Sequence, residues 1–194
     1  MIAALLLMAA EPMTAIDAER AFAADAQKLG QWTAFRKYAA DDAVMFVPEQ
    51  VNAQAWLKDK KDPPTAVFWW PGRSYVSCDG TIAVNTGPWV REWDKSVGYF
   101  TTVWKRQPDG GWKWLLDHGD AVKTARAEGG DIEPRNASCA GEPTMMPHSG
   151  HSGDRTLAWN YDVGPQGQRS VLVWIWTGTK YENVIEDLVK PQTK

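Results

Sequence analysis

Gly98-Tyr99-Phe100-Thr101-Thr102-Val103-Trp104 and, beyond the turn signal Asp109-Gly110-Gly111, Trp112-Lys113-Trp114-Leu115-Leu116-Asp117-His118-Gly119 alternate their bulky side chains with a period of two. That is the period of a strand. Residues 68–78 and 81–91 show the same pattern and are separated by Asp79-Gly80, so residues 68–119 read as an antiparallel meander. Val97, Tyr99, Thr101 and Val103 alternate with Phe100, Thr102 and Trp104, so neither face of this strand is simply solvated. One face is expected to meet helices, and the other a partner chain or the C-terminal segment.

Upstream the period becomes helical. Thr14 with Asp17 three residues on reads as an N-cap, and Ala18, Phe22, Ala26 and Leu29 follow at helical spacing until Gly30. A second helix is expected over 31–40, a strand over 43–47 ending at Pro48, and a short helix over 51–59. Downstream, residues 123–155 are rich in Gly, Pro, Ser and Glu and read as a linker. Period two then resumes in Leu157, Trp159, Tyr161 and Val163, followed by runs at 171–176 and 181–189, a three-stranded appendage over 156–194.

The chain has 194 residues, a net charge of −3 and 12 Trp against five Tyr and five Phe. Its length suits one domain of 14–122 plus an elaboration. Without a basic footprint, nucleic acid and anionic membrane are poor partners. Residues 1–13 carry the apolar run Ile2 to Ala10, too short to span a bilayer and lacking Lys or Arg before it. It reads as a secretory signal, placing the protein in the periplasm or outside the cell; the alternative is a core-packed helix in a cytoplasmic protein. Cys78 and Cys139 show no zinc spacing. They are either a disulfide, worth about 2–4 kcal/mol, or two buried thiols.

The order of elements, together with Tyr38-Ala39-Ala40-Asp41-Asp42-Ala43-Val44 before Pro48 and the two strands quoted first, resembles the nuclear-transport-factor-2-like, or SnoaL-like, superfamily over residues 14–122. The resemblance implies an α+β cone, a curved antiparallel sheet wrapped over N-terminal helices with a pocket at its open end. Its members include isomerases, dehydratases, cyclases and non-catalytic binding or dimerisation modules, so the fold does not choose the chemistry. In its ketosteroid isomerases a general-base aspartate directly precedes the proline of the first strand. Here that position is Val47, with Glu49 beyond Pro48, which speaks against that reaction.

Strict alternation puts Trp112, Trp114, Leu116 and His118 on one face, so His118 is expected to line the cone with Asp120 as its carboxylate partner and Asp117 turned away. Such a pair suits general acid/base work, and SnoaL-like cyclases are similar in using an acidic residue and a nearby His. A structural histidine is the plainer reading. Trp32, Phe35, Tyr38, Trp56, Trp70, Trp104, Trp112 and Trp114 are expected to line a hydrophobic pocket as a group, although core filling explains any one of them. Met145, Met146, His148 and His151 offer soft ligands of the kind copper takes, in a loop without a fixed fourth ligand. Asn136-Ala137-Ser138 matches a glycosylation acceptor. No phosphate loop, dinucleotide fingerprint, nucleophile elbow or zincin motif occurs, and no cofactor is called for. The leading expectation is a small-molecule-binding cone. A lyase, cyclase or dehydratase using His118 and Asp120 is one alternative, and a module that forms a homodimer through its second sheet face is the other.

Overall fold

The computed structural model describes residues 13–126, 132–144 and 148–191, so the apolar run of residues 1–12 and the Met145-Met146 pair lie outside the described residues. Helix α1 (Ala15–Leu29) starts on a capping box in which Thr14 and Asp17 satisfy each other's backbone N–H, and it buries Ala15, Ala18, Phe22 and Ala26. Gly30, at φ 106°, turns the chain directly into α2 (Gln31–Tyr38). The Asp62 carboxylate accepts the Thr33 N–H at 2.9 Å and the Thr33 hydroxyl at 2.6 Å, fastening this corner.

Several boundaries differ from the sequence expectation. The second helix stops at Tyr38 because β1 (Ala39–Phe46) begins there to pair with the last strand of the meander. The segment expected as one helix over 51–59 divides into β2 (Gln50–Asn52), paired antiparallel with β1, and α3 (Ala53–Leu57), capped by Asn52. Pro71-Gly72 divide the run 68–78 into β3 (Phe68–Trp69) and β4 (Arg73–Val76). Strands β5 (Ile82–Val90), β6 (Val97–Arg106) and β7 (Trp112–Val122) complete the meander, and β8 (Arg135–Asn136) joins β4 in parallel. The sheet order is β2-β1-β7-β6-β5-β4-β8, with β3 paired to β5.

The inner face of this curved sheet packs Ala83, Phe100, Trp104, Trp112 and Trp114 on the helices. Its outer face carries Tyr75, Ile82, Val84, Val103 and Leu116. A second sheet covers that outer face: β9 (Gly150–His151), β10 (Leu157–Val163), β11 (Arg169–Trp176) and β12 (Tyr181–Val189), in the order β12-β11-β10-β9. Leu157, Trp159, Val171, Val173, Ile175 and Ile185 supply its side of the contact. The appendage thus has four strands rather than three, the extra one being two residues long. Of the two occupants open to the outer face, the chain's own C-terminal segment takes this area.

Two matching turns join the sheets. In Ser77-Cys78-Asp79-Gly80-Thr81-Ile82 the Ser hydroxyl, the Thr hydroxyl and the Thr N–H all donate to Asp79 Oδ1. In Ser152-Gly153-Asp154-Arg155-Thr156-Leu157 the corresponding groups donate to Asp154 Oδ1. Each aspartate then reaches across: Asp79 N–H donates to Asp154 Oδ2 at 2.7 Å, and Asp154 N–H donates to Asp79 Oδ2 at 3.1 Å. Cys78 is bridged to Cys139, Cα–Cα 5.2 Å, and its N–H donates to the Thr156 hydroxyl at 2.8 Å. Because each carboxylate serves both its own turn and the other, the two should be strongly coupled. We expect Asp79→Ala and Asp154→Ala each to cost about 2–3 kcal/mol in urea unfolding, and a double-mutant cycle to give a coupling of 1 kcal/mol or more, on the order seen for residues sharing one network. Strict additivity would mean that the crossing bonds hold nothing.

Candidate functional site

A cavity of about 400 Å³ opens between α2, the ends of β1 and β5, and the last part of β7. Its apolar walls come from Trp32 and Phe35 of α2, Met45 and Phe46 of β1, Trp69, Trp89 and Phe100, with Val47 and Val67 beside them. Gln31, Arg91 and the segment Asp117 to Ala121 supply its polar groups. The aromatic wall is edge-packed: Trp32 meets Phe35 at 5.4 Å between centroids, and Phe35 meets Trp69 at 6.0 Å.

Only Trp32 and Phe35 of the eight aromatics expected there line it. Tyr38 packs on Phe22 and donates its hydroxyl to Asp25 at 2.9 Å. Trp56 stands behind Trp32, with the Lys60 ammonium over its own ring. Trp104 and Trp114 are fully buried, and Trp70 lies against Phe68. Trp112, at the other end of the cone, donates to the Met13 carbonyl at 2.9 Å. The adjacent Trp69 and Trp70 show why: neighbours on a strand face opposite ways, and the choice between them depends on the pairing of Trp69 with Trp89. Val47 lines the cavity, while Glu49 is exposed and lies outside it.

The polar residues are rearranged by one extra residue. In the β6–β7 ladder Val103 faces Leu116 but Trp104 faces Trp114, so Leu115 is a bulge. Trp112 and Trp114 point inward, Leu116 outward, and every residue after the bulge takes the parity opposite to strict alternation. Asp117 therefore points into the cone, and His118 and Asp120 lie on the outer face. This reverses the facing expected for all three, although the cavity still borders His118 and Asp120.

Asp117 accepts the Thr102 hydroxyl at 3.0 Å and has no cationic partner among the described residues. Burial, with the charge of Glu19 adding, pushes its carboxyl up to about 7. What water-reachable surface it keeps is consistent with its place on the cavity wall. Glu19, fully buried deeper in the cone, accepts the indole N–H groups of Trp69 at 2.9 Å and Trp104 at 2.7 Å and a longer bond from Asn85. Burial outweighs those bonds and raises it to about 7 as well.

No hydrogen bond joins His118 to Asp120. The partner of His118 comes from the second sheet: Arg169 Nε–H donates to His118 Nδ1 at 3.1 Å, and Arg169 Nη2 donates to the Gly119 carbonyl at 2.7 Å. Burial, then the charges of Arg169 and Arg126, push the imidazole down to about 3, which favours its neutral form at physiological pH. Farther along the outer face, Arg126 donates to Thr86 and to Asp187, whose carboxylate also accepts the Thr101 hydroxyl at 2.6 Å. His148 and His151 pack edge to face at 4.7 Å, and the described residues contain no group of three or more His, Cys, Asp or Glu able to hold a metal ion.

No family model matches the chain, and no curated protein matches it. Among solved structures it is similar to a protein of Parabacteroides distasonis ATCC 8503 provisionally assigned as a ketosteroid isomerase, at 21% identity and TM-score 0.43, over 56% of this chain and 86% of that one. It is similar also to a nuclear transport factor 2-like protein of Salmonella enterica (12%, TM-score 0.43, 57% and 89%) and to a cystatin-like fold protein of Burkholderia xenovorans LB400 (17%, TM-score 0.39, 55% and 84%). Its structural neighbours are nuclear-transport-factor-2-like and cystatin-like folds. They leave over 40% of this chain unmatched.

Proposed function

We propose that the cone binds a small, largely apolar or aromatic molecule. The observation that carries this is the 400 Å³ cavity walled by Trp32, Phe35, Trp69, Trp89 and Phe100, a size that accepts a two- or three-ring compound. A bicyclic hydrocarbon burying about 250 Å² there gains roughly 6 kcal/mol before ordering costs, so dissociation constants of tens of micromolar or weaker are expected. Calorimetry and saturation-transfer NMR with naphthalene test this, using Ala121→Trp to obstruct the mouth. Saturable binding that the substitution abolishes is expected; binding that Ala121→Trp leaves unchanged would place the molecule elsewhere.

A second reading has its own observation. Asp117 is a half-buried carboxyl on the cavity wall, pushed up to about 7 chiefly by desolvation, which is the condition for proton transfer at physiological pH. If the bound molecule is turned over in a lyase, cyclase or dehydratase reaction, Asp117 replaces the expected His118–Asp120 pair as the acid/base group. The Cys78–Cys139 bridge favours an oxidising compartment, periplasmic or extracellular. No described helix is long and apolar enough to cross a membrane.

A further inference from the structure

The charges around the cavity do not balance. Among the described residues its wall carries one guanidinium, Arg91, and two carboxyls, Asp117 and Asp120. Arg91 is already engaged: its Nε donates to the Ser96 hydroxyl at 2.8 Å and lies 3.5 Å from Asp94, with the guanidinium over the rings of Trp89 and Trp93. Arg169 belongs to the second sheet and donates to His118 and to the Gly119 carbonyl. Neither carboxyl of the wall has a cationic partner among the described residues.

Asp117 is the better placed of the two, because it lies on the inner face of the sheet. Its Oδ2 accepts the Thr102 hydroxyl at 3.0 Å. Its Oδ1 accepts no hydrogen bond among the described residues and keeps accessible surface on a half-buried side chain that lines the cavity. Trp32, Phe35, Trp69 and Phe100 wall the same space. A carboxylate in apolar surroundings is costly without a counter-charge, and aromatic rings attract cations, as Arg91 over Trp89 shows in this same wall. An anion would instead meet Asp117 and Asp120, with the charge of Glu19 adding from α1.

We propose that the cone's ligand is a ring compound bearing an ammonium group, held by an ion pair with Asp117 Oδ1 while its rings lie among the aromatic side chains. This rests on the cone-binding reading above and requires no turnover. The aromatic walls then set the shape of the ligand, and Asp117 sets its charge.

The test measures, by calorimetry on the full chain, the affinities of three compounds that share one skeleton: 2-naphthylmethylammonium, 2-naphthylmethanol and 2-naphthoate. At pH about 7.5 the ammonium compound should bind about tenfold more tightly than the alcohol, and naphthoate more weakly than either. Asp117→Asn should bring the ratio of ammonium to alcohol to about one. A pH series uses wild-type protein, so it stands even if the substitution fails to fold. Acidification to about pH 5.5 protonates Asp117, which burial and the charge of Glu19 hold near 7, so the ammonium compound should lose about tenfold in affinity while the alcohol is unchanged. Glu19, raised by burial to about 7, takes up its proton over the same range and acts in the same direction, whereas His118, pushed down to about 3, favours its neutral form throughout. Equal affinities for ammonium and alcohol, tightest binding of naphthoate, a ratio that survives Asp117→Asn, or an ammonium affinity that does not fall on acidification overturns the cation assignment and leaves the apolar cone standing. Binding of none of the three, or binding unchanged by Ala121→Trp, overturns both.

Discussion

Unfolded by urea across a pH series, the protein should lose stability as pH rises from about 4.5 to about 7.5, by roughly 1.4 kcal/mol per pH unit for each excess proton held by the folded state. Three interior groups set this slope. Glu19 and Asp117 are raised from 4.5 and 3.8 to about 7, so each stabilises the fold fully below its unfolded value, and the contribution disappears as pH climbs through 7. His118 has the opposite sign: lowered from 6.5 to about 3, its contribution is complete above 6.5 and is lost as pH falls toward 3. Between about 4.5 and 6.5 the folded chain therefore carries two carboxyl protons that the unfolded chain lacks, and lacks one imidazole proton that the unfolded chain holds. The net is one. From 6.5 to about 7 the two acids act without opposition and the fall steepens. Carboxylates held low by Thr14 (Asp17) and by Lys37 (Asp25) act below this window.

Variants separate these contributions. Asp117→Asn should flatten the profile between 4.5 and 6.5, where Glu19 and His118 then nearly cancel, while His118→Gln should steepen the same limb to two protons. Water reaching the cavity side of Asp117 makes its share the smaller of the two acids. Stability that rose from pH 4.5 to 7.5 would contradict the placement of both carboxyls in the interior.

Replacing Glu19 is the second large effect. Glu19→Ala should cost roughly 4 kcal/mol in urea unfolding at pH 7, a large fraction of an ordinary domain's stability. The loss comes from stranding the Trp69 and Trp104 indole N–H groups, each about 1–3 kcal/mol when buried without an acceptor, and from the space left beside Phe22. Glu19→Gln should cost less, because its carbonyl still accepts one indole and no carboxyl has to stay protonated. It should also remove one acid from the pH profile, which ties the two measurements together. A Glu19→Ala variant within 1 kcal/mol of wild type would show that the indoles find other acceptors.

The site was partly legible from sequence. Trp32 and Phe35 reach the cavity because helical spacing fixes their face once Phe22 and Ala26 define the core side. Trp69 was not separable from Trp70, since in a strand with bulk on both sides either parity buries aromatic rings; Phe100 and Trp104 share the inner face and differ only in their place along β6. Glu19 lies on the apolar stripe of α1, one position after Ala18, and only the three N–H donors converging on it explain why a carboxyl occurs there. The paired turns were written openly as Ser77-Cys78-Asp79-Gly80-Thr81 and Ser152-Gly153-Asp154-Arg155-Thr156, but two short polar stretches far apart give no sign of meeting until the sheets are packed.

What the sequence determined by itself was local: the capping box at Thr14, the turn at Gly30, the period-two meander and the strands after residue 156, all set by backbone chemistry and side-chain spacing. The tertiary structure decided which side of each strand faces the cone. Trp114-Leu115-Leu116 is apolar throughout and both faces of β7 are buried, so hydrophobicity is satisfied with or without a bulge. The bulge arises from pairing Val103 with Leu116 and Trp104 with Trp114 across the β6–β7 ladder. That single extra residue put Asp117 inside and His118 outside, because a shift of one residue along a strand turns every later side chain to the opposite face.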